Sequence, residues 1–408
     1  MGLVVTVVGG AIFSYAIGYS GAPGKLVTRL NLFAGAMFGL VLSDNLFGLF
    51  VFWELTTVAS YSLIAYDDRS EAARRAGLHA LLVTAGGGLV MLAGFVLLGI
   101  EGGTYRISDL AAAPPTGTAA AVGLGLVLAG IVTKSAQVPF HGWLPSAMAA
   151  PTPASAFLHA ATMVKAGVFL AIRLHPVAAG DGLWESGLLV LGLATMFVGG
   201  WAALRETDLK RVLAYGTVAQ LGLLTALVAR DVSLAAGTAL LLAHAGFKAA
   251  LFLVVGAVDR STGTRDVRVL AGLRHSLPVL SWVAVAAAAS MAGVPATLGF
   301  VAKEAALDLL LREDPVVAWA IGAASVLTVA YTLRVVRVFF GPPWGGTAHP
   351  VPALMMVPAA GLAGAGLVLG LFTTPVSRLV DAVAAGSGVP AVALPAWPGL
   401  KPALAVSL

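Results

Sequence analysis

What most constrains this chain is the way its apolar residues are arranged, in long runs that follow one another from the first residues to about position 376. A helix needs roughly 20 apolar residues to cross a hydrocarbon core. Twelve stretches qualify: 2–20, 30–43, 46–66, 72–99, 119–148, 152–174, 183–204, 208–229, 234–258, 278–311, 315–340 and 351–376. The expected fold is an all-α membrane protein of about 12 transmembrane helices, a single polytopic domain over 1–408. Only 11% of the residues are charged and 59% are hydrophobic, against about 25% charged in soluble domains. So many runs exclude a water-soluble helical bundle. Gly2 to Ser20 has no basic leader and no Ala-x-Ala site, so it reads as a helix of the mature protein. The chain has no Cys, which rules out thiolate metal sites, iron–sulfur ligation and disulfides. No cofactor and no metal is expected.

Alternating the connections between two membrane faces sorts the basic residues. One face collects Lys25, Arg29, Arg69, Arg74, Arg75, Arg205, Lys210, Arg211, Arg260, Arg265, Arg268, Arg274, Arg334 and Arg337. The other has only Arg106, Arg173, Arg230, Arg312, Arg378 and Lys401. Cytoplasmic connections are enriched in bases, so both termini are expected outside the cytoplasm of a cell (inner) membrane. The net charge of +5 is explained by this bias and is clustered on no soluble segment, so nucleic acid is not an expected partner.

Two stretches, 119–148 and 278–311, are too long for a plain span, and proline interrupts each, at Pro139 with Pro145 and at Pro295. Proline removes an amide donor and clashes with the preceding turn, so both read as broken helices. They lie five spans apart. A repeat with an odd number of spans must be inverted across the membrane, which gives a first five-helix repeat over 30–174 and a second over 183–340. Inverted repeats with broken helices are a recurrent transporter design.

A charge at mid-span costs about 2.5–3.5 kcal/mol even on a lenient insertion scale, so intramembrane ionisable residues need a reason. Glu54 sits in Phe-Trp-Glu-Leu-Thr, Lys134 precedes the first break, and His159 and Lys165 occupy the next span. His244 and Lys248 share a later span, and Lys303 and Glu304 follow the second break. His244 and Lys248 are four apart and share a helical face, the spacing of a proton relay. Glu54 is the natural carboxylate partner for Lys134. Bland readings stand beside these. Lys134 and Lys303 read alternatively as bases that snorkel to an interface, and His159 as an interhelical hydrogen-bonding group. Asp44 caps a turn or, with Glu304, lies at an ion entrance. Gly86, Gly87 and Gly88 fit close helix packing and not a phosphate cradle.

These residues sit in stretches that resemble a known family, the antiporter-like subunits shared by respiratory complex I and the multisubunit Mrp-type sodium/proton antiporters. The longest is TKSAQVPFHGWLPSAMAAPTPASAFLHAATMVKAGVFLAIRLHP, Thr133 to Pro176. Others are FWELTTVASYSLIAY from Phe52, DLKRVLAYGTVAQLG from Asp208, HAGFKAALFLVVG from His244 and GFVAKEA from Gly299. Three further stretches, LSDNLFGLFVFWELT from Leu42, LLVTAGGGLVMLAG from Leu81 and STGTRD from Ser261, look more like the A subunit of the Mrp type. The resemblance implies a hydrated axis carried by Glu54, Lys134, His159, Lys165, His244, Lys248 and Lys303. It begins inside what looks like the family's third helix and stops shortly after the antiporter core, which implies a fragment or a reduced relative. The function expected is monovalent cation (sodium)/proton antiport within a hetero-oligomeric complex of membrane subunits. The alternatives are a proton-pumping subunit of a complex I-like quinone oxidoreductase and a structural relative that does not conduct.

Overall fold

The computed structural model describes residues 1–21 and 23–407. All twelve expected spans are helical. They are α1 (Val4–Tyr19), α2 (Gly24–Leu42), α3 (Leu46–Ile64), α4 (Glu71–Gly102), α5 (Thr118–Lys134), α6 (Thr152–Ala178), α7 (Gly182–Arg205), α8 (Leu209–Val228) and α9 (Asp231–Thr262). The tenth span is split into α10 (Pro278–Ala292) and α11 (Leu298–Glu313), and α12 (Pro315–Arg337) and α13 (Ala353–Leu371) complete the bundle. No strand occurs among the described residues, only two isolated bridges, Asn45 to Arg106 and Asp208 to Asp266.

Large apolar side chains such as Leu32, Leu82, Val190, Trp282, Trp319 and Leu333 stay exposed around the bundle. In water these would be a liability; in a bilayer they are the lipid-facing surface. Three helices are instead enclosed: 94% of the apolar stretch of α6 and 89% of those of α8 and α9 are buried, against 33% for α2 and 39% for α3. These interior helices carry most of the buried Lys and His residues, which keeps those groups away from lipid.

Glycine sets how closely the helices approach. A Cβ on Gly222 of α8 would lie 2.5 Å from the Gly192 carbonyl oxygen of α7, and one on Gly94 of α4 would lie 2.5 Å from the Gly123 carbonyl of α5. The backbones of these pairs therefore touch with nothing between them.

Both proline breaks are present. α5 ends at Lys134, and the chain runs through irregular backbone before the short helical turns Trp143–Ser146 and Ala147–Ala149. The other break separates α10 from α11 at residues 293–297. Each holds one non-glycine residue in the left-handed region, Ala136 (φ 49°) and Ala296 (φ 69°), a conformation that costs an L-residue about 1–2 kcal/mol. A third break was not expected. Within α6 the chain forms a π-turn at Phe157–Ala161 and leaves helical geometry at Thr162 (φ −136°, ψ −93°), to resume at Lys165. No proline marks it; such insertions recur at functional sites.

Two boundaries differ in a way that matters. The second span starts at Gly24, not at residue 30, so Lys25 and Arg29 lie in helix and stack on the ring of Tyr66, just past the end of α3. Beyond α13, Thr374–Ser387 forms an amphipathic helix that buries Val376, Val380 and Ala384 and exposes Arg378 and Asp381. Replacing Gly222 with Leu should cost about 1–3 kcal/mol through overpacking, seen as a lowered melting temperature in detergent. Gly361→Leu, where a Cβ meets nothing within 4 Å, should leave it unchanged.

Candidate functional site

The site is a line of buried ammonium groups, each tied to main-chain carbonyls. Lys134 is fully buried at the last turn of α5. Its Nζ donates to the Trp53 carbonyl (3.0 Å) and to Thr57 Oγ1 (2.6 Å) on α3, and lies 4.9 Å from the centre of the Trp53 ring. Trp53 and Thr57 are one turn apart, so a single face of α3 supplies both acceptors and the ring.

Glu54, expected as the direct partner of Lys134, is adjacent to this group without bonding it. Its Oε1 is buried with no hydrogen-bond partner, and the two charges act on each other through space. The carboxylate occupies the seam between α3 and α4, where a Cβ on Gly88 would lie 2.0 Å from Oε1. Gly87 makes room in the same way for Thr133 Oγ1 of α5, at 1.9 Å, whereas Gly86 faces open space. Two of the three consecutive glycines thus admit polar side chains as well as close packing.

The third break sets His159 and Lys165. Lys165 reaches back to the Ala160 carbonyl, which the π-turn leaves available, and Ser135 Oγ donates to the Val164 carbonyl at 2.8 Å, joining this break to that of α5. His159 is fully buried between Trp143 and Phe252, ring centres at 6.4 and 6.1 Å, with both ring nitrogens unpartnered. A neutral imidazole carries one donor and one acceptor, so His159 can take up and release a proton with no competing bond.

His244 and Lys248 lie one turn apart on α9, both fully buried. Neither ring nitrogen of His244 has a hydrogen-bond partner, and Lys165 and Lys248 both act on it electrostatically. Lys248 donates to the Leu213 carbonyl of α8 at 3.2 Å and lies 5.7 Å from the Tyr331 ring centre. A Cβ on Gly216 would lie 2.9 Å from its Nζ. A side chain at 216 would therefore have to displace the ammonium.

Lys303 stands one turn into α11, 7% exposed, and reaches the Ala292 carbonyl at the end of α10 (3.4 Å). Its ammonium thus meets the C-terminal end of α10, as Lys134 lies in the last turn of α5, where the negative end of the dipole favours a cation. Between Lys248 and Lys303 lie three residues that sequence reasoning did not single out. Gln220 Nε2 approaches Thr328 Oγ1 (3.4 Å) and Tyr331 Oη (3.5 Å), and Tyr331 Oη approaches the Gly216 carbonyl (3.4 Å). Gln220 and Thr328, with Ser290, Ser325 and Lys303, line a small space of about 10 Å³, near the size that one water needs. The available signal was Gln220 itself, an amide in an apolar run that must find partners inside the bundle.

The remaining named residues are placed differently. Asp44 sits in the turn before α3, where it accepts from Ser108 Oγ (2.6 Å) and Ser108 N (3.1 Å) and pairs with Arg173 (3.1 Å) and Arg106 (3.7 Å). The Ser108 hydroxyl, with help from the Ser108 amide and the two guanidinium groups, holds its carboxyl below the ordinary carboxylate range. These ties are therefore intact at neutral pH and weaken only as pH falls through that lowered value. Glu304 is 2% exposed beside Lys303 and borders a cavity of about 150 Å³ under residues 391–401, where Lys401 pairs with Asp308 at 3.0 Å.

Residues 43–328 match the family described as NADH:quinone oxidoreductase/Mrp antiporter, TM. The A/B component of a probable K(+)/H(+) antiporter of Rhizobium meliloti is 41% identical over 90% of this chain and 39% of its own length. The A1 component of a Na(+)/H(+) antiporter of Staphylococcus saprophyticus is 39% identical over 88% of this chain and 49% of its own. Among solved structures, a chain of the Mrp complex from a Dietzia species superposes with a TM-score of 0.91 at 36% identity, covering 100% of this chain and 46% of that one. A chain of the membrane-bound sulfane sulfur reductase, an archaeal respiratory membrane complex, gives 0.86 at 25% identity, covering 94% and 80%. The chain thus spans less than half the length of these two curated relatives. Over that span the sequence match and the shared bundle agree, and the chain belongs to the NADH:quinone oxidoreductase/Mrp antiporter membrane family.

Proposed function

We propose that this chain is the proton-carrying part of a multisubunit membrane antiporter that exchanges a monovalent cation, sodium or potassium, for protons. The observation that carries the reading is the buried line itself: Lys134, Lys165, Lys248 and Lys303, each bonded to a main-chain carbonyl, with His159 and His244 among them holding unpartnered nitrogens. A lysine that gives up its proton keeps two N–H donors. It can hold its carbonyl partner in either state, so the anchor survives each transfer. A histidine then accepts at its free nitrogen and passes a proton on. Glu54, placed beside Lys134 without a bond to it, biases that lysine through its charge. Asp44 and Glu304 are proposed to border the approaches used by the ions. The distribution of bases supports a cell-membrane orientation with both termini outside the cytoplasm, and the five-helix blocks 30–174 and 183–340 are proposed as inverted halves. The other membrane subunits of the complex are its proposed partners, since the relatives are themselves named as antiporter subunits.

The likeness to the archaeal respiratory complex favours a second reading, a proton-pumping subunit driven by redox chemistry elsewhere. With no Cys in the chain, cluster ligation would fall to other subunits. Inverted vesicles carrying the assembled complex separate the two. Antiport predicts that added Na⁺ or K⁺ alone collapses an imposed pH gradient, whereas the redox reading predicts pumping that needs an electron donor and no such cation.

In that assay Glu54→Ala and Lys134→Ala should each abolish exchange with expression nearly intact. Wild-type exchange in both variants would assign the pair a structural role. Thr57→Val leaves the Lys134 ammonium one acceptor short and should cost about 1–3 kcal/mol of stability. Thr56→Val, whose hydroxyl bonds only within its own helix, should cost less in the same thermal melts.

Lys248→Arg keeps a cation but cannot release its proton, and should slow exchange at least about tenfold, as Lys248→Ala does. Gln220→Leu should also slow it, because the link between Lys248 and Lys303 loses its amide. Undiminished exchange in Gln220→Leu would remove that residue from the path.

A further inference from the structure

The bases of the base-rich face are not all held alike. Arg211 is exposed and pairs with Glu206 at 2.8 Å, and Arg265 pairs with Asp208 at 2.9 Å. Lys210 turns inward, 1% exposed, and its Nζ donates to the Met148 carbonyl (3.0 Å) and the Ala150 carbonyl (2.7 Å). Lys25 and Arg29 are held in neither way. Both lie over the Tyr66 ring, 5.3 and 5.2 Å from its centre, and Arg29 Nη1 donates to the Ser62 carbonyl at 2.5 Å. Among the described residues no carboxylate lies within 4.0 Å of either cation, and Asp67, next in sequence to the ring, accepts instead from the Arg69 amide at 3.3 Å. Two positive charges thus meet at one ring without a counter-charge, beside the positive end of the α2 dipole.

These bases stand at the mouth of a groove of about 690 Å³ between α2 and α3. Lys25 shares one stripe of α2 with Thr28, Leu32 and Gly35 of the groove, because residues three or four apart fall on one helical face. On α3, Ser62 of the groove leads one turn further to Tyr66. The polar lining, Thr28, Asn31 and Ser62, gathers at this outer end, and the inner part is apolar, with Leu32, Leu55 and Val58 exposed. From Ser62 the α3 wall runs inward to Phe52, about 15 Å at helical rise, half of a hydrocarbon core of roughly 30 Å. There the groove closes: a Cβ on Gly39 of α2 would lie 2.2 Å from the Phe52 ring, so the ring rests on the α2 backbone. A Cβ on Gly35 would meet nothing within 4 Å, which leaves the groove open at that point.

We propose that this groove is a binding site for an anionic phospholipid of the leaflet at the base-rich face. The lipid phosphate supplies the counter-charge that Lys25 and Arg29 lack, and the guanidinium of Arg29, with one N–H on the Ser62 carbonyl, keeps others for phosphate oxygens. Thr28 and Asn31 lie at the depth of the ester groups, and one acyl chain runs along Leu32, Gly35 and Leu55 to the Phe52 ring. The depth selects this occupant. A tail fills one leaflet and ends at the bilayer middle, as the groove does, whereas a transmembrane helix of another subunit needs a seam across the whole core. Free phosphate would meet the bases and leave the apolar groove empty.

The test is photolabelling of the assembled complex in phosphatidylcholine vesicles, with a phosphatidylglycerol probe that carries a diazirine on its acyl chain. Adducts on this chain are expected within residues 28–36 and 52–62. Lys25→Gln combined with Arg29→Gln should lower them about tenfold or more, because each base near the surface adds to the attraction for anionic lipid. Gly35→Phe keeps both bases and fills the groove, and should lower them as well. Arg205→Gln with Arg337→Gln, which removes two bases of the same face on α7 and α12, should leave the labelling unchanged; an equal drop there would mean general attraction to the leaflet and overturn the site. A matched phosphatidylcholine probe needs no substitution and should label the groove of the wild-type complex about tenfold less. Equal labelling by the two probes would make the groove an ordinary lipid-facing surface and overturn the proposal. Absence of adducts from both probes, the result if a helix of another subunit covers the groove, would overturn it too. None of these outcomes depends on what the complex transports.

Discussion

The architecture depends on how a lysine ammonium can exist inside a bundle surrounded by lipid. Removing it from water costs several kcal/mol even after relaxation, and an intact helix offers only the second lone pair of carbonyls that are already bonded along the helix. Breaking the helix frees them. Lys134, Lys165 and Lys303 each lie at one of the three breaks, and Lys165 and Lys303 use carbonyls that those breaks release. Lys134 takes its acceptors from α3, and Lys248 takes a carbonyl of the intact α8. The charges and the irregular backbone are therefore two sides of one solution, and the positions of the remaining helices follow from enclosing them. The burial of α6, α8 and α9 behind a ring of lipid-facing helices is that enclosure.

Much of this was legible in the sequence. Apolar runs give the spans, since length and composition alone decide what can cross a bilayer, and Pro139 and Pro295 give two breaks through steric rules that hold in any fold. The break inside α6 was not legible because nothing local forces it. It arises where Thr162 and Lys165 bond back along the chain and Ser135 reaches across to the Val164 carbonyl. The left-handed Ala136 and Ala296 were equally hidden, since alanine gives no sign that a strained conformation is imposed on it by its surroundings.

The site was legible as a set of residues and not as a set of contacts. Glu54 and Lys134 stand side by side as their charges suggested, but the bonds of Lys134 go to Trp53 and Thr57. Residues without charge give little signal: Gln220, Thr328 and Tyr331 hardly perturb an apolar run, and only packing brings α8 and α12 together so that they meet. Lys210 is hidden for the opposite reason. Its charge is plain, but its place near a helix end looks like an ordinary interfacial position, and nothing in the sequence separates it from its exposed neighbour Arg211.

Carbonyl anchoring has a consequence for how such a chain can diverge. Every residue has a carbonyl, so the acceptors that hold Lys165, Lys210, Lys248 and Lys303 are indifferent to which side chains occupy Ala160, Met148, Ala150, Leu213 and Ala292. As anchors those positions act through the backbone path, while their largely buried side chains answer separately to the packing around them. Substitutions can accumulate there while the path is kept, and a lineage is free to change its packing, its lipid surface or its partners without rebuilding the interior that carries the charge.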